Sequence, residues 1–148
     1  MPIPPLDANG LLPPGIHDAT LDELEEAFGG PGAGSRRRAL MKSLRSYLAE
    51  VKQWRMMEEL LIDGSFVTDK PDPDDIDLLL VLPVGYELTR VVSPYEYNLR
   101  SHRMIRKRFG FDLFAVRSNS ADYDRFVQHF SQVRERPGLR KGIIRVRT

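Results

Sequence analysis

The stretch that most constrains this chain runs from residue 62 to residue 81. An apolar run enters a Gly64-Ser65 turn, a polar loop rich in proline follows, and a pair of carboxylates, Asp75 and Asp77, begins a second apolar run. Because side chains alternate in direction along a strand, Asp75 and Asp77 point to the same face. Two carboxylates held together repel each other unless a cation lies between them. The stretch therefore predicts two strands joined by a loop, with a cation site at the start of the second strand. The alternative for Asp75 is a turn residue of the Asp-rich loop, whereas Asp77 begins an apolar run, where an unpaired carboxylate is costly to bury.

Two features of this stretch suit a phosphate group bound together with a metal ion. Carboxylate oxygens are hard ligands, and Mg2+ or Mn2+ prefers one or two of them together with the phosphates of a substrate. Gly64 allows the backbone to approach a ligand closely, and Ser65 is placed to open a helix whose free N–H groups face an anion. One short segment is thus expected to supply both a phosphate pocket and a metal site.

The pattern resembles the nucleotidyltransferase fold of the DNA polymerase beta type, particularly the minimal nucleotidyltransferases. Their signature is an apolar residue, Gly-Ser, a spacer, and then carboxylate, apolar, carboxylate, apolar. Here nine residues, 66–74, separate Ser65 from Asp75, which is a spacing typical of that superfamily. The superfamily needs a third carboxylate on a later strand, and Asp112 lies within such an apolar run. The likeness covers residues 36–116, and residues 10–17 also resemble an uncharacterised prokaryotic family assigned to this fold.

The resemblance implies a reaction and a role for each matched residue. The reaction is the Mg2+- or Mn2+-dependent transfer of a nucleoside monophosphate from a nucleoside triphosphate, with ATP the expected donor, to a protein or RNA hydroxyl. Asp75, Asp77 and Asp112 would be catalytic and would hold the metal ions, and Asp112 is also a candidate base. The residues expected to hold the triphosphate are Gly64, Ser65 and Lys70.

The loop departs from the resembled family at one place. Many minimal nucleotidyltransferases carry Arg-Gly shortly after Gly-Ser, whereas this chain has Thr68 and Asp69 there. Lys70 is available as a point charge in place of that arginine. Two hypotheses therefore stand: an active transferase, which as a small family member would act beside a toxin partner as an antitoxin, and a catalytically inactive module or antitoxin that acts by protein–protein contact.

Charge is unevenly distributed along the chain, although the net charge is only +1. Residues 1–99 hold 9 Lys and Arg against 17 Asp and Glu, a net charge of −8, whereas residues 100–148 hold 13 against 4, a net charge of +9. Such asymmetry can mark a nucleic-acid-binding surface, which is a third hypothesis. The explanation we favour is that the acidic part pairs with the basic part inside one folded unit, because charge blocks alone rarely identify a partner.

Length and composition set the outer limits. A chain of 148 residues is large enough to bury a core. We divide it into a Pro- and Gly-rich arm with a short helix, residues 1–34, and a nucleotidyltransferase-like domain, residues 35–148. The absence of cysteine excludes disulfides and thiolate metal sites and agrees with a cytoplasmic location. Without a signal-peptide pattern or an apolar run of roughly 20 residues, no membrane contact is expected, while a partner chain or a homo-oligomer is.

The pattern of apolar residues predicts an α+β fold, close to α/β, with a small mixed sheet flanked by helices and a Pro-rich N-terminal arm. Capping residues predict helices over 20–28, 36–52, 94–108 and 121–134. Strands are predicted over 59–63, 76–82, 111–116 and 142–147, and the last, which alternates with arginines, is expected to be an edge strand. Arg36, Arg37 and Arg38 lie in a first helical turn, where the helix dipole disfavours cations, so the acidic segment or an external phosphate is a candidate partner. A solvated helix face is the explanation we favour for them. Trp54 is expected in the core and His17 in a structural hydrogen bond.

Overall fold

The computed structural model describes residues 3–30, 32–73, 76–133 and 136–147. Over these residues the fold is α+β, a mixed five-stranded sheet flanked by helices, as the sequence predicts. The strands are β1 (Gly15–Asp18), β2 (Glu59–Asp63), β3 (Asp77–Leu82), β4 (Asp112–Arg117) and β5 (Gly142–Arg147). The α-helices are α1 (Leu21–Leu24), α2 (Ser35–Gln53), α3 (Pro94–Arg100), α4 (His102–Phe109) and α5 (Ala121–Phe130), and a π-helical turn (Glu25–Gly29) follows α1.

The strands lie in the order β1-β5-β2-β3-β4. β2 pairs antiparallel with both β3 and β5, whereas β3 pairs parallel with β4, and β1 pairs parallel with β5. The parallel step from β3 to β4 needs a crossover, and α3 and α4 supply it. As a result, the end of β2 and the starts of β3 and β4 meet at one end of the sheet.

Both faces of the sheet are covered, as the unbroken apolar run of β3 predicts. α2 covers one face through the residues that its helical spacing places together, namely Leu40, Leu44, Tyr47, Leu48 and Val51, all of which are buried. The other face packs against α5 through a smaller core that contains Leu61, Leu79, Val81, Val116, Phe130 and Ile143. Residues 78–82 of β3 are fully buried between these two layers.

The prediction that residues 142–147 form an edge strand is wrong. β5 lies between β1 and β2, because Gly15–Asp18 of the expected arm adds a fifth strand in which Ile16 stands opposite Ile143. Four residues preceded by prolines carry too little periodicity to be recognised as a strand. The arginines of β5 therefore do not guard an edge, and Arg145 instead binds Asp18 of β1.

Some predicted helices have different limits in the structure. The helix expected over 94–108 is two helices, because the side chain of Ser101 accepts a hydrogen bond from the Met104 N–H and starts α4. The last helix ends at Phe130 and not near residue 134. Ser35, which the sequence suggests as the cap of α2, is instead the first residue of that helix. Trp54 is 39% exposed and stacks on Tyr95, so its assignment to the core was wrong.

Ion pairs join the acidic part of the chain to its basic part. Among the described residues, acidic side chains before position 100 bind basic side chains after it in five pairs: Glu50–Arg108, Asp18–Arg145, Glu59–Arg145, Glu59–Arg147 and Asp63–Lys141. These pairs favour the explanation that the acidic part pairs with the basic part within the fold. They also leave fewer cations for a nucleic acid.

Gly142 allows β1 and β5 to approach each other. A Cβ atom placed there would overlap the carbonyl oxygen of Pro13 and would lie 2.8 Å from Nε2 of His17, the nitrogen that donates a hydrogen bond to the same carbonyl as predicted. We expect Gly142→Ala to lower the free energy of unfolding by about 2 kcal/mol, a usual cost of overpacking, in urea titrations. Gly85→Ala is the control, because a Cβ there meets nothing within 4 Å. Equal stability of the two variants would contradict this account of β1.

Candidate active site

Three carboxylates form a row across one end of the sheet. In the antiparallel pair Asp63 stands directly opposite Asp77, and in the parallel pair Asp77 stands directly opposite Asp112. Residues that stand directly opposite share a face, and neighbouring strands are about 4.8 Å apart. The row is on the face that α5 covers, beyond the apolar residues of that smaller core. We call these three residues the carboxylate row.

Local sequence explains why the row lies at this end. Asp63 ends β2 because Gly64, with φ of +89°, turns the chain in a conformation that favours glycine. Asp77 and Asp112 are the first residues of their strands. Asp112 comes two residues after Gly110, which closes α4 in the left-handed conformation. Each strand thus begins or ends in polar residues at the same edge of the core.

A cavity of about 570 Å³ opens beside the carboxylate row. Asp63 and Asp77 form part of its wall, and Gly64 and Ser65 lie next to them. The remaining described lining residues come from the N-terminal segment, the β2–β3 loop, α5 and the segment before β5: Leu11, Thr68, His129, Phe130, Gln132, Val133 and Lys141. The cavity therefore brings the Gly-Ser turn, two carboxylates and a lysine into one space.

Cations of the chain bind the two outer carboxylates of the row. The Lys141 ammonium lies 3.0 Å from Oδ1 of Asp63, and the Asp63 side chain is only 3% exposed. At the other end, Nη1 of Arg106 lies 3.3 Å from Oδ1 of Asp112, and Nε2 of His102 lies 3.6 Å from the same oxygen. The row is therefore flanked by positive charge at both ends, with Asp77 in the middle.

Arg37 fixes the loop that follows Gly64. Its guanidinium donates to the carbonyl oxygens of Phe66, Thr68 and Lys70 at 2.5, 2.7 and 2.5 Å, and to that of Phe28 at 3.3 Å. The residue is 6% exposed, and its burial lowers the pKa of the guanidinium, an effect that Asp69 and Asp72 oppose. The expected solvated position of Arg37 is therefore wrong, because the loop surrounds it.

Most of the predicted site residues are brought together. Gly64, Ser65 and Asp77 line the cavity, and Asp112 stands beside Asp77. Ser65 opens only the three-residue 3₁₀ turn Ser65–Val67 and not the regular helix that was expected. Lys70 is exposed and is not among the lining residues that the structure describes. Asp75 lies outside the described residues.

The sequence prediction missed two residues of this site, Asp63 and Lys141. Asp63 occupies the place before Gly-Ser where the resembled family has an apolar residue, and that departure was a readable signal. Lys141 gave no signal, because only the pairing of β5 with β2 brings it near Asp63. Long-range strand pairing of this kind cannot be read from local periodicity.

The residues present fit one divalent cation shared with a phosphate ligand. No group of three acidic, histidine or cysteine side chains converges on a single point in the part of the chain that the structure describes. Adjacent pairs of carboxylates in the row would offer the one or two hard oxygen ligands that Mg2+ uses when phosphates complete its coordination. Like charges directly opposite each other are destabilising, so a cation here would relieve repulsion.

The fold and this site define an α+β protein with a carboxylate row at one end of its sheet, beside a glycine-serine turn. The chain belongs to a family of unknown function (DUF6932), whose family model matches residues 4–147. Searches of curated proteins and of solved structures found no match. Among the described residues, no helix is both long and apolar enough to span a membrane.

Proposed function

We propose that this protein is a Mg2+-dependent nucleotidyltransferase that moves a nucleoside monophosphate from a nucleoside triphosphate to a hydroxyl group. The observation that supports it is the register of the carboxylate row, with Asp77 directly opposite both Asp63 and Asp112. Three carboxylates across adjacent strands, beside a cavity of about 570 Å³ lined by Gly64 and Ser65, suit a ligand that carries both phosphates and a metal ion.

In this proposal the chain positions the substrate and holds the metal ion that neutralises its phosphates. Gly64 and Ser65 would hold the phosphate tail against the cavity wall, and Asp77, with its neighbours in the row, would hold the metal. When bound, the metal would neutralise the phosphates and polarise the α-phosphorus toward attack. The acceptor oxygen would bond to the α-phosphorus while the bond to the bridging oxygen breaks and pyrophosphate leaves. Asp112, at the rim of the row, is the candidate acceptor for the hydroxyl proton.

The finer features of the proposal come from the resemblance. We infer ATP as the donor and a protein or RNA hydroxyl as the acceptor, with a toxin as the candidate protein partner and the cytoplasm as the location. We predict that Asp75 is the second metal ligand beside Asp77. We also predict that Lys70 contacts the triphosphate.

The test is calorimetric titration with each nucleoside triphosphate in the presence of Mg2+. We expect metal-dependent binding by the wild type and its loss in the Asp75→Ala/Asp77→Ala double variant, because the phosphates then lack the cation that joins them to the sheet. Asp122→Ala/Asp124→Ala is the matched control, since both residues are exposed on α5. The preferred nucleotide would then be used, radiolabelled, to search for the acceptor. No binding by folded wild type would overturn the proposal.

A second candidate is a catalytically inactive module or antitoxin that works by contact with another protein. The observation that favours it is that Lys141 and Arg106 already bind Asp63 and Asp112, so two carboxylates of the row are neutralised without a metal. Exposed apolar side chains available for such contact include Trp54, Val84, Leu88, Val91, Tyr95 and Tyr97. The calorimetric titration separates the two candidates, because an inactive module has no metal-dependent nucleotide binding.

A further inference from the structure

Lys141 lies beside the carboxylate row, where a bound cation would compete with its ammonium for the Asp63 carboxylate. We propose that Lys141 couples the binding of a divalent cation to the binding of phosphate in this cavity. Its ammonium pairs with Asp63 when the cavity holds no ligand, and it moves to a phosphate group when a cation binds at the carboxylates. The inference deepens the proposed function and rests on it for the identity of the ligand, a metal-bound polyphosphate.

The ion pair between Lys141 and Asp63 has the burial that this role requires. The two side chains are 15% and 3% exposed, and their charged atoms are 3.0 Å apart. Among the described residues that line the cavity, Lys141 is the only lysine or arginine. Removing either partner would therefore leave a poorly solvated charge. A ligand that binds Asp63 must also offer the displaced ammonium a new anionic partner.

Charge and chain geometry then decide where the ammonium goes. A divalent cation at Asp63 and Asp77 would repel an ammonium held 3.0 Å from the same carboxylate. Lysine is a compact point charge with three donors on a flexible stem, so it can turn without a change in the backbone. Gly64 and Ser65 line the same cavity, so the released ammonium stays next to the predicted phosphate position.

The exchange has a thermodynamic consequence. Lys141 opposes a cation that binds alone, because the cation must break the ion pair, and Asp63 opposes an anion that binds alone, because it holds the ammonium. When both ligands bind, each removes the obstacle to the other. Coupling of this kind is reciprocal and typically changes each affinity by about 5- to 150-fold.

Inorganic tripolyphosphate and Mn2+ are the probes, and three variants separate the contributions. In the absence of metal, Asp63→Asn is expected to bind tripolyphosphate about tenfold more tightly than the wild type, because Lys141 is released. Lys141→Met is expected to bind Mn2+ alone about tenfold more tightly and Mn2+-tripolyphosphate about tenfold more weakly. Lys141→Arg keeps the charge and is expected to stay within about threefold of the wild type in its affinity for Mn2+ alone.

The opposite signs of the two Lys141→Met effects are the decisive readout, because a variant that is merely misfolded would bind both probes more weakly. If Lys141→Met fails to fold, the metal-free gain of Asp63→Asn still tests the proposal. One outcome is that the wild type binds Mg2+-ATP, while Asp63→Asn gains no affinity for metal-free tripolyphosphate and Lys141→Met binds both probes as the wild type does. That outcome would overturn the role of Lys141 and leave the transferase standing. A gain in Asp63→Asn, with no binding of Mg2+-ATP by the wild type, would support the lysine site and overturn the transferase.

Discussion

Replacing Arg37 with alanine is expected to remove more stability than any other single arginine substitution in α2. The variant would leave the carbonyl oxygens of Phe28, Phe66, Thr68 and Lys70 without the donor that now binds all four. A hydrogen bond to a charged group contributes about 1.5–3 kcal/mol, so a loss of at least about 3 kcal/mol follows even if the four bonds are far from additive. The measurement is the free energy of unfolding in urea.

The neighbouring arginine is the matched control for this prediction. Arg38 lies one residue further along α2 but is exposed, so Arg38→Ala should change the free energy of unfolding by no more than about 0.5 kcal/mol. Arg37→Lys keeps the positive charge but cannot reach four carbonyl oxygens with a single ammonium, and most of the loss should remain. Similar stabilities of Arg37→Ala and Arg38→Ala would show that the loop does not depend on Arg37.

Replacing Asp77 with asparagine is expected to have the largest effect on metal binding. Asp77 stands between Asp63 and Asp112, and those outer carboxylates already bind Lys141 and Arg106. A cation bound between either pair of neighbouring carboxylates would use Asp77, because Asp77 stands opposite both of the others. Because the loss of a residue that only orients a metal ligand costs about 10–100-fold in affinity, the loss of a ligand should cost about 100-fold or more. The readout is the affinity for Mn2+, which substitutes for Mg2+ and is detected directly.

The control for Asp77→Asn is Asp124→Asn at an exposed position of α5, which removes the same charge from a residue that is neither in the row nor among the described lining residues of the cavity. Its affinity for Mn2+ should equal that of the wild type. A loss as large as that of Asp77→Asn would mean that overall charge, and not the row, attracts the metal. Asparagine keeps the size of the side chain, so the comparison tests charge and not packing.

Local pattern was sufficient to predict the elements that hold this site. The apolar runs around β2, β3 and β4, and the acids at their ends, predict the strands, and in the structure Asp77 and Asp112 stand side by side in the parallel pair. Burial of α2 also follows from its spacing, because a helix that covers a sheet must repeat its apolar residues every three to four positions.

The missed features all depend on contacts between distant parts of the chain. The buried position of Arg37 could not be predicted from its helix, because a cation in the first turn is unfavourable. Its partners are loop carbonyls 29 to 33 residues away and the carbonyl of Phe28. β1 is stabilised by its pairing with β5, more than 120 residues further along the chain. Lys141 likewise joins the site only through β5. Pairing partners are set by the whole fold, and one sequence shows only candidates for them.

Whether the carboxylate row binds a metal ion is decided by titrating the wild type and Asp77→Asn with Mn2+. Binding is followed through the paramagnetic resonance signal of the free ion, and the titration is repeated with excess nucleoside triphosphate. We predict saturable binding that tightens when nucleotide is present and weakens about 100-fold in Asp77→Asn. That outcome would establish the carboxylate row as a metal-dependent nucleotide site. Absence of binding in the folded wild type, or equal binding by the variant, would contradict the account and leave a protein-binding module as the better description.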